Sequence, residues 1–333
     1  MKKSLKIFLC CLSVLVVTYL VICFVPGKKV TDNNPFIANE EEKVLIAAHR
    51  GGKNLNPENT FMAFDYAIEH FDIDILELDL CITKDGYLVS NHNMTINSST
   101  DVTEDNYYIY DHYLAELQKF NFGHKFETQD KQRPYEDIFT KNNVSEENKS
   151  EFLKEQKLRI ATIDEIFTAY KDSDLKFILE IKNKGELGTT AANTLCDKIR
   201  EFGLVNRVVV GTFHPEVEKH LTEYHPDILR GASMSSAAGF VVTTMLGVNS
   251  LYSTSVTALQ IPTDYEVIDD VFTLRLNKKS YIRKAHKRNI SVQYWTINDV
   301  DEMRELIDLG ADVIMTDSPD ILYNLLKDEY YCR

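Results

Sequence analysis

Three carboxylates stand within short and otherwise apolar runs of the chain. Glu77 and Asp79 lie two residues apart in one run, and Glu180 lies near the end of another. If the first run is a strand, side-chain alternation directs Glu77 and Asp79 to the same face. Burying a carboxylate is costly unless it is paired or binds a metal ion. A set of oxygen ligands suits a hard cation, so one interpretation is a site for one divalent cation, Ca²⁺ or Mg²⁺.

Two basic side chains near these carboxylates leave a second interpretation open. Arg50 follows another apolar run, and Lys182 lies two residues after Glu180. Glu77 and Glu180 would then pair with Arg50 and Lys182 in a purely structural ion cluster. If the cations are functional instead, they would hold an anionic oxygen substrate such as a phosphate.

Two histidines occupy comparable positions at predicted strand ends. His49 ends one apolar run, and His92 ends the return of a predicted hairpin. Two histidines across a site can act as general base and general acid near neutral pH. Together with a metal ion and cations at an oxyanion, this set fits phosphoryl transfer.

Two other side chains at strand ends have both a functional and a structural interpretation. Trp295, the single tryptophan, would either wall the pocket, where it binds substrate, or cap the core; we favour the pocket. Asp317 shortly precedes Pro319, and a helix cap is a common structural use of such a residue. We therefore interpret Asp317 as a cap.

The elements that must position these residues alternate along the chain. Short, mostly continuous and β-branched runs are typical of strands that are buried on both faces of a parallel sheet. Amphipathic segments lie between them, and Thr162 with Glu165 fits a capping box at one helix start. Eight strands with interleaved helices favour a (β/α)8 TIM barrel, with a doubly wound sheet as the alternative. The runs are Val44–Ala48, Ile73–Leu78, Leu175–Ile181, Arg207–Phe213, Ile228–Ala232, Ala258–Pro262, Ile290–Trp295 and Asp312–Thr316.

Two segments interrupt the alternation after the second strand. The first, Cys81–His92, contains Asp85-Gly86, a turn signal. A hairpin there would bring His92 back level with Asp79. The second, about 93–157, is polar and is predicted to be an insertion over the mouth of the barrel.

The N-terminus is interpreted as a membrane anchor. Ile7–Val25 is a run of 19 residues broken only by Ser13 and Thr18, and at about 1.5 Å per residue it spans roughly the hydrocarbon core of a bilayer. Three lysines precede it and two follow, which favours a barrel outside the cytoplasm. A cleaved signal peptide is the alternative. The predicted division is an anchor over 1–26, a solvated linker over 27–43 and the barrel over 44–329.

Composition excludes several other classes of protein. The 37 Lys+Arg against 51 Asp+Glu give a formal charge of −14, which argues against nucleic-acid binding because that needs a basic face. Cysteines outside the apolar run are Cys81, Cys196 and Cys332, with no spacing typical of a disulfide framework or a zinc site. The oligomeric state is left open.

Seven motifs in order resemble the glycerophosphodiester phosphodiesterase family. The resemblance spans about 44–326 and implies a TIM barrel with an insertion that hydrolyses glycerophosphodiesters to glycerol 3-phosphate and an alcohol. By this resemblance, His49 and His92 are the acid and base, and Arg50 and Lys182 contact the phosphate. It also implies that Glu77, Asp79 and Glu180 are the metal ligands, and that Glu58 orients the site. The motifs are His49-Arg50-Gly51, Pro57-Glu58-Asn59-Thr60, Glu77-Leu78-Asp79, Thr83-Lys84-Asp85-Gly86, His92, Glu180-Ile181-Lys182 and Trp295-Thr296-Ile297-Asn298.

One departure from the family pattern keeps alternatives open. The family usually has Asp after the second histidine, whereas this chain has Asn93, which cannot stabilise an imidazolium as a carboxylate does. The alternatives are a membrane-surface phosphodiesterase acting on phospholipid or a glycerophosphate polymer, and a catalytically inactive binding barrel. A metal-using isomerase or aldolase on the same fold is disfavoured by the paired histidines.

Overall fold

Eight parallel strands wind into a nearly closed barrel in this computed structural model, which describes residues 3–25, 27–39, 41–268 and 272–331. Lys2, Pro26, Glu40 and Cys332 lie outside the described residues. In chain order the strands are β1 (Leu45–Ala48), β2 (Ile75–Ile82), β3 (Leu88–Ser90), β4 (Lys176–Ile181), β5 (Val208–Gly211), β6 (Leu229–Arg230), β7 (Ala258–Ile261), β8 (Asp264–Ile268), β9 (Phe272–Arg275), β10 (Ser291–Tyr294) and β11 (Val313–Thr316).

The strand order is that of a barrel and not of a doubly wound sheet. The parallel strands follow one another as β6-β5-β4-β2-β1-β11-β10-β7. A parallel bridge between Gly231 and Ala258 brings the two ends of this order together. β3 pairs antiparallel with β2, and β8 pairs with β9 outside the barrel. The predicted barrel is confirmed, and each of the eight predicted strands is one of its parallel strands.

Helices connect the strands and cover the outside of the barrel. Leu78 and Ile181 belong to the large core between strands and helices, as strand alternation predicts. The predicted capping box is present, since Thr162 Oγ1 accepts a hydrogen bond from the Glu165 N–H. The helices are α1 (Lys3–Phe24), α2 (Phe61–Phe71), α3 (Leu114–Leu117), α4 (Ile138–Lys141), α5 (Lys149–Glu155), α6 (Ile163–Tyr170), α7 (Gly185–Glu201), α8 (Pro215–Tyr224), α9 (Met234–Met245), α10 (Lys279–His286), α11 (Val300–Leu309) and α12 (Pro319–Leu325).

The hairpin after β2 returns the chain to the mouth of the barrel. β3 pairs with the second half of β2, and the Asn91 N–H donates to the Asp79 carbonyl oxygen at 3.0 Å. His92 therefore lies level with Asp79, as the turn at Asp85-Gly86 predicts. The inserted segment that follows packs against the hairpin in a second small core, in which Ile96 joins Cys81 of β2 and Val89 of β3.

The segment between α1 and β1 closes the end of the barrel at which the strands begin. Phe36 is fully buried there and packs with the inward-facing residues of the strands. Asn34 Nδ2 donates to the carbonyl oxygens of Thr257 and Asn289 at 2.8 and 2.9 Å. The sequence interpretation of a solvated linker is therefore wrong for this part, because one aromatic side chain fills the barrel floor.

The helix α1 is long and apolar enough to cross a membrane. Its apolar part, Leu5–Phe24, has 20 residues, none of them buried against the protein. Its last turns contact the loop after α9, where Tyr19 Oη donates to the Leu246 carbonyl oxygen at 2.7 Å. Length and composition fit a membrane anchor or a signal sequence equally well.

Candidate active site

The three carboxylates meet inside the mouth of the barrel. Glu77 and Asp79 point inward from β2, and Glu180 stands beside Asp79 on the neighbouring strand β4. One oxygen of each lies within 4.8 Å of the others. Burial and the neighbouring Asp79 raise the pKa of Glu77 well above its usual range, and burial raises that of Glu180. A set of buried oxygen ligands at this spacing fits a hard divalent cation.

Two cationic side chains flank the three carboxylates but do not balance all of their negative charge. Arg50 Nε lies 3.3 Å from Asp79 Oδ2, and its Nη1 donates to Glu58 Oε2 at 3.0 Å. Lys182 Nζ lies 2.8 Å from Glu180 Oε1 and 3.4 Å from Asp79 Oδ1. The structural ion cluster that the sequence left open is therefore present in part. Lys182 pairs with Glu180 as that interpretation requires, but the Arg50 side chain pairs with Asp79 instead of Glu77. Three carboxylates against two cations still leave room for added positive charge.

His49 is held by an aspartate from the last strand. It follows β1 directly, is buried, and its Nδ1 lies 2.5 Å from Asp317 Oδ1. Because a carboxylate only accepts, Nδ1 carries the proton and Nε2 is left to face the cavity, 3.9 Å from Glu77 Oε2. Burial opposes the charge on Asp317, but the hydrogen bonds from His49 and Asn298 lower its pKa.

The interpretation of Asp317 as a helix cap is wrong. The helix α12 begins at Pro319, and its first turn receives no side-chain capping bond. The carboxylate instead accepts from His49 and from Asn298 Nδ2 at 2.9 Å. The signal that could have found it is its position at the carboxyl end of a barrel strand, where such side chains reach the mouth.

His92 enters the site from the returning hairpin. Its ring is half-buried, and its Nδ1 lies 3.1 Å from Asn93 Oδ1. The amide oxygen accepts, so Nδ1 carries the proton and Nε2 is unprotonated in the neutral ring. Burial lowers the pKa of His92, and the cations Lys182 and Arg50 act in the same direction.

All eight site residues predicted from the sequence line one cavity of about 180 Å³. Phe213, Lys53 and Gln260 line it as well and were missed, because nothing in their surrounding sequence singles them out. Asn59, also not singled out, holds Asp79 through its Nδ2 at 3.1 Å from Oδ2. The predicted eight are His49, Arg50, Glu77, Asp79, His92, Glu180, Lys182 and Trp295.

Comparison with known proteins matches the barrel to one family. The model of the glycerophosphoryl diester phosphodiesterase family matches residues 49–321. A glycerophosphodiester phosphodiesterase of Caldanaerobacter subterraneus subsp. tengcongensis is 26% identical over 286 residues, which cover 86% of this chain and 98% of the relative. The lysophospholipase D GDPD1 of Mus musculus is 23% identical, with 84% and 85% covered.

Solved structures share the fold. A putative glycerophosphoryl diester phosphodiesterase from Silicibacter pomeroyi has a TM-score of 0.64 at 17% identity, with 88% of this chain and 96% of that one covered. An Oleispira antarctica phosphodiesterase in complex with the product sn-glycerol-3-phosphate has a TM-score of 0.61 at 19% identity, with 85% and 97% covered. The chain therefore belongs to the glycerophosphoryl diester phosphodiesterase family, and it is a phosphoric diester hydrolase.

Proposed function

We propose that the chain hydrolyses glycerophosphodiesters to glycerol 3-phosphate and an alcohol, using one divalent cation and the pair His49 and His92. The observation that carries this proposal is the single cavity that collects both histidines, three carboxylates and two cations. The names of the relatives and the product complex of a structural neighbour support the substrate class.

Glu77, Asp79 and Glu180 would hold the cation. Bound there, a Ca²⁺ or Mg²⁺ ion supplies positive charge to the phosphate oxygens. All three carboxylates are also anchored by protein donors. Arg50 N–H donates to Glu77 Oε2 at 2.8 Å, and Asn59 donates to Asp79. Lys182 Nζ donates to Glu180 Oε1 at 2.8 Å. The ligand set is thus oriented by the fold.

The cationic side chains bind the substrate. Arg50 and Lys182 lie on either side of Asp79 and present their charges to the non-bridging oxygens of a diester. Trp295 and Phe213 stand edge to face with ring centroids 5.7 Å apart and form the apolar wall of the cavity. The wall excludes water on one side of the phosphate and thereby strengthens these interactions.

The two histidines divide the proton transfers. Burial lowers the pKa of His92 and so favours the neutral ring, whose Nε2 accepts the proton of the attacking hydroxyl. That hydroxyl belongs to water or to the neighbouring glycerol carbon, in which case a cyclic phosphate forms first. His49 delivers a proton from Nε2 to the leaving alkoxide, and Asp317 stabilises the charge on its ring.

The direct test measures glycerol 3-phosphate released from glycerophosphocholine by the wild type and by His92→Ala. We expect the substitution to lower kcat by about 10²–10⁴-fold, the usual range for an acid or base. His70→Ala is the matched control, since His70 is exposed on the outer helix α2. Full activity of His92→Ala would contradict the role, and no release by the wild type would contradict the function.

The second candidate function acts at a membrane surface, on a phospholipid or a glycerophosphate polymer. It is favoured by α1, which would anchor the enzyme in a bilayer with the barrel on the extracytoplasmic side. Protease treatment of intact cells tests this topology. We expect the barrel to be digested from outside, whereas protection would place it in the cytoplasm.

A further inference from the structure

The last turns of α1 meet the barrel at the loop that joins α9 to β7. Tyr19 Oη donates to the Leu246 carbonyl oxygen at 2.7 Å, and Ser250 Oγ donates to the Ile22 carbonyl oxygen at 3.1 Å. This loop comes directly before a barrel strand, and the strands begin at the floor. The candidate membrane span therefore reaches the barrel at the end opposite the active site.

Arg288 joins three segments to one another beside this contact. Its side chain is buried, its Nε donates to the Lys28 carbonyl oxygen at 3.2 Å, and its Nη1 donates to the Asn249 carbonyl oxygen at 3.3 Å. The Val30 N–H donates in turn to the Arg288 carbonyl oxygen at 2.9 Å. Lys28 and Val30 belong to the chain that follows α1, so this chain is bound to the floor and is not a flexible linker.

The helix α1 leaves the barrel from this contact and does not pack along its side. None of the residues Leu5–Phe24 is buried against the protein. A helix of this length that ran along the outside of the barrel would bury one face against α9 or its neighbours. A membrane that holds α1 therefore lies beyond the floor, on the side away from the mouth.

The surface around the contact combines exposed apolar and exposed basic side chains, which we call the floor patch. Its apolar members are between 56% and 65% exposed. Apolar side chains that enter the membrane interface, with lysines at the level of the head groups, are typical of surfaces that bind anionic lipid. The floor patch consists of Met245, Leu246, Leu251, Lys28, Lys29 and Lys287.

We propose that the floor patch lies on the anionic head groups of the bilayer that holds α1, so that the mouth of the barrel faces away from that bilayer. β2 starts at the floor, where Ile75 packs in the same cluster as Phe36, and its length corresponds to roughly 20 Å along the barrel axis. A phospholipid of the same bilayer then cannot reach the three carboxylates at the mouth.

This inference rests on the phosphodiesterase function proposed above and narrows its substrate class. The substrate enters the mouth from the aqueous side, as a diester that is dissolved in water or extends into it. A phospholipid of the anchoring membrane is the substrate that this orientation disfavours.

Continuity with α1 favours a bilayer over a protein as the partner of the floor patch. Lys28 and Lys29 follow the candidate span closely, and Leu246 contacts its last turns. A protein seated on the patch would occupy the space where the bilayer around α1 begins. The three lysines also complement an anionic surface although the chain as a whole is acidic.

The test uses the full-length protein in vesicles of phosphatidylcholine and phosphatidylglycerol, in which part of the lipid is brominated and quenches nearby tryptophan. Trp295, the single tryptophan, reports on the mouth. Leu251→Trp adds a reporter on the floor patch. Tyr113→Trp is the matched control, since Tyr113 is exposed and lies beside Lys84 of the hairpin at the mouth.

We expect brominated lipid to remove about half of the emission that Leu251→Trp adds, because interfacial side chains lie about 5–10 Å into the boundary between head groups and acyl chains. The emission of Trp295 and the emission that Tyr113→Trp adds should not change. Lys287→Glu, combined with Leu251→Trp, should reduce the quenching. Lys219→Glu, at an exposed position of α8, should not.

Quenching of Trp295 or of Tyr113→Trp as strong as that of Leu251→Trp would overturn the inference, and so would an absence of quenching in all three proteins. Hydrolysis of glycerophosphocholine by the same vesicles is measured separately. The expected quenching without hydrolysis would contradict the proposed function and leave the orientation of the barrel supported.

Discussion

At the scale of single residues, the two histidines differ in the hydrogen-bond partner of their Nδ1 atoms. His49 donates to the carboxylate of Asp317, while His92 lies against the neutral amide of Asn93. A carboxylate stabilises a charged imidazolium and an amide does not. The different partners support the proposed roles, in which His49 carries the charged ring and His92, beside the neutral amide of Asn93, is the base.

Replacing that amide by a carboxylate tests this assignment. Below its pKa His92 is protonated and cannot act as a base, so activity falls on the acid side. Asn93→Asp raises the pKa of His92, and we expect the acidic limb of the kcat/KM profile to move to higher pH by about one unit. Asn148→Asp makes the same charge change at an exposed position. An unchanged limb in Asn93→Asp would argue that His92 is not the base.

Sequence alone predicted the residues that motifs and strand ends identify, and it missed those fixed by distant contacts. Asp317 was assigned to the nearby Pro319 because only neighbours along the chain are visible in a sequence. Its partner His49 is 268 positions away. Asn59 was quoted within a motif, but its bond to Asp79 depends on how the turn after β1 meets β2.

At the scale of elements, the turn after β1 determines where Arg50 points. Arg50, Gly51 and Gly52 all have positive φ, at 52°, 81° and 87°. A Cβ on Gly51 would lie 2.7 Å from Phe64 Cδ1 on α2. The turn therefore depends on a residue without a side chain, and it places both His49 and Arg50.

Gly51→Ala should accordingly damage both stability and activity. We expect a loss of about 2–4 kcal/mol in the free energy of unfolding, from positive φ and the clash together. Gly203→Ala isolates the backbone cost, because Gly203 has φ 72° and no atom within 4 Å of an added Cβ; about 1 kcal/mol is expected there. Denaturant unfolding measures both. Equal losses would show that contact with Phe64 has no effect.

Element prediction succeeded where the pattern was strong. All eight barrel strands were predicted, because continuous β-branched runs are distinctive in a parallel sheet. The helix α9 was not, since it is apolar on most sides and lacks a clear period. The β8–β9 hairpin was also missed, although apolar and polar residues alternate along Phe272-Thr273-Leu274-Arg275, because it lies outside the succession of strands and helices that the barrel requires. These two unpredicted elements flank a second cavity of about 220 Å³, which is lined mostly by apolar residues.

At the scale of the whole molecule, the chain before β1 is part of the barrel. Phe36 fills the floor, and Asn34 joins it to the loops before β7 and β10. The predicted boundary between linker and barrel at residue 43 leaves Phe36 and Asn34 outside the barrel. A polar segment with one aromatic residue has no periodic pattern that would predict its packing. Asn34 and Phe36 therefore belong to the packed barrel although they precede the predicted boundary.

Two truncations compare these boundaries. A chain that begins at residue 27 keeps Phe36, whereas one that begins at residue 44 loses it. We expect the shorter chain to be less stable by about 3–5 kcal/mol, the usual cost of deleting a buried phenylalanine side chain. Equilibrium unfolding of the two purified proteins provides the comparison. Equal free energies of unfolding would mean that the floor contributes nothing.

The charge of the molecule makes the metal ion central to the account. The formal charge is −14, which repels an anionic diester at long range, so binding requires local positive charge. Arg50 and Lys182 are already engaged by carboxylates. A divalent ion bound to Glu77, Asp79 and Glu180 would change the net charge of the three carboxylates and two cations from negative to positive.

The most direct measurement is therefore glycerol 3-phosphate release from glycerophosphocholine by protein first freed of divalent ions with EDTA and then titrated with Ca²⁺ or Mg²⁺. We expect no turnover in EDTA and full turnover once about one ion is bound per chain. Glu180→Gln should require more ion, and Glu186→Gln, at an exposed position of α7, should not. Undiminished turnover in EDTA would contradict the account.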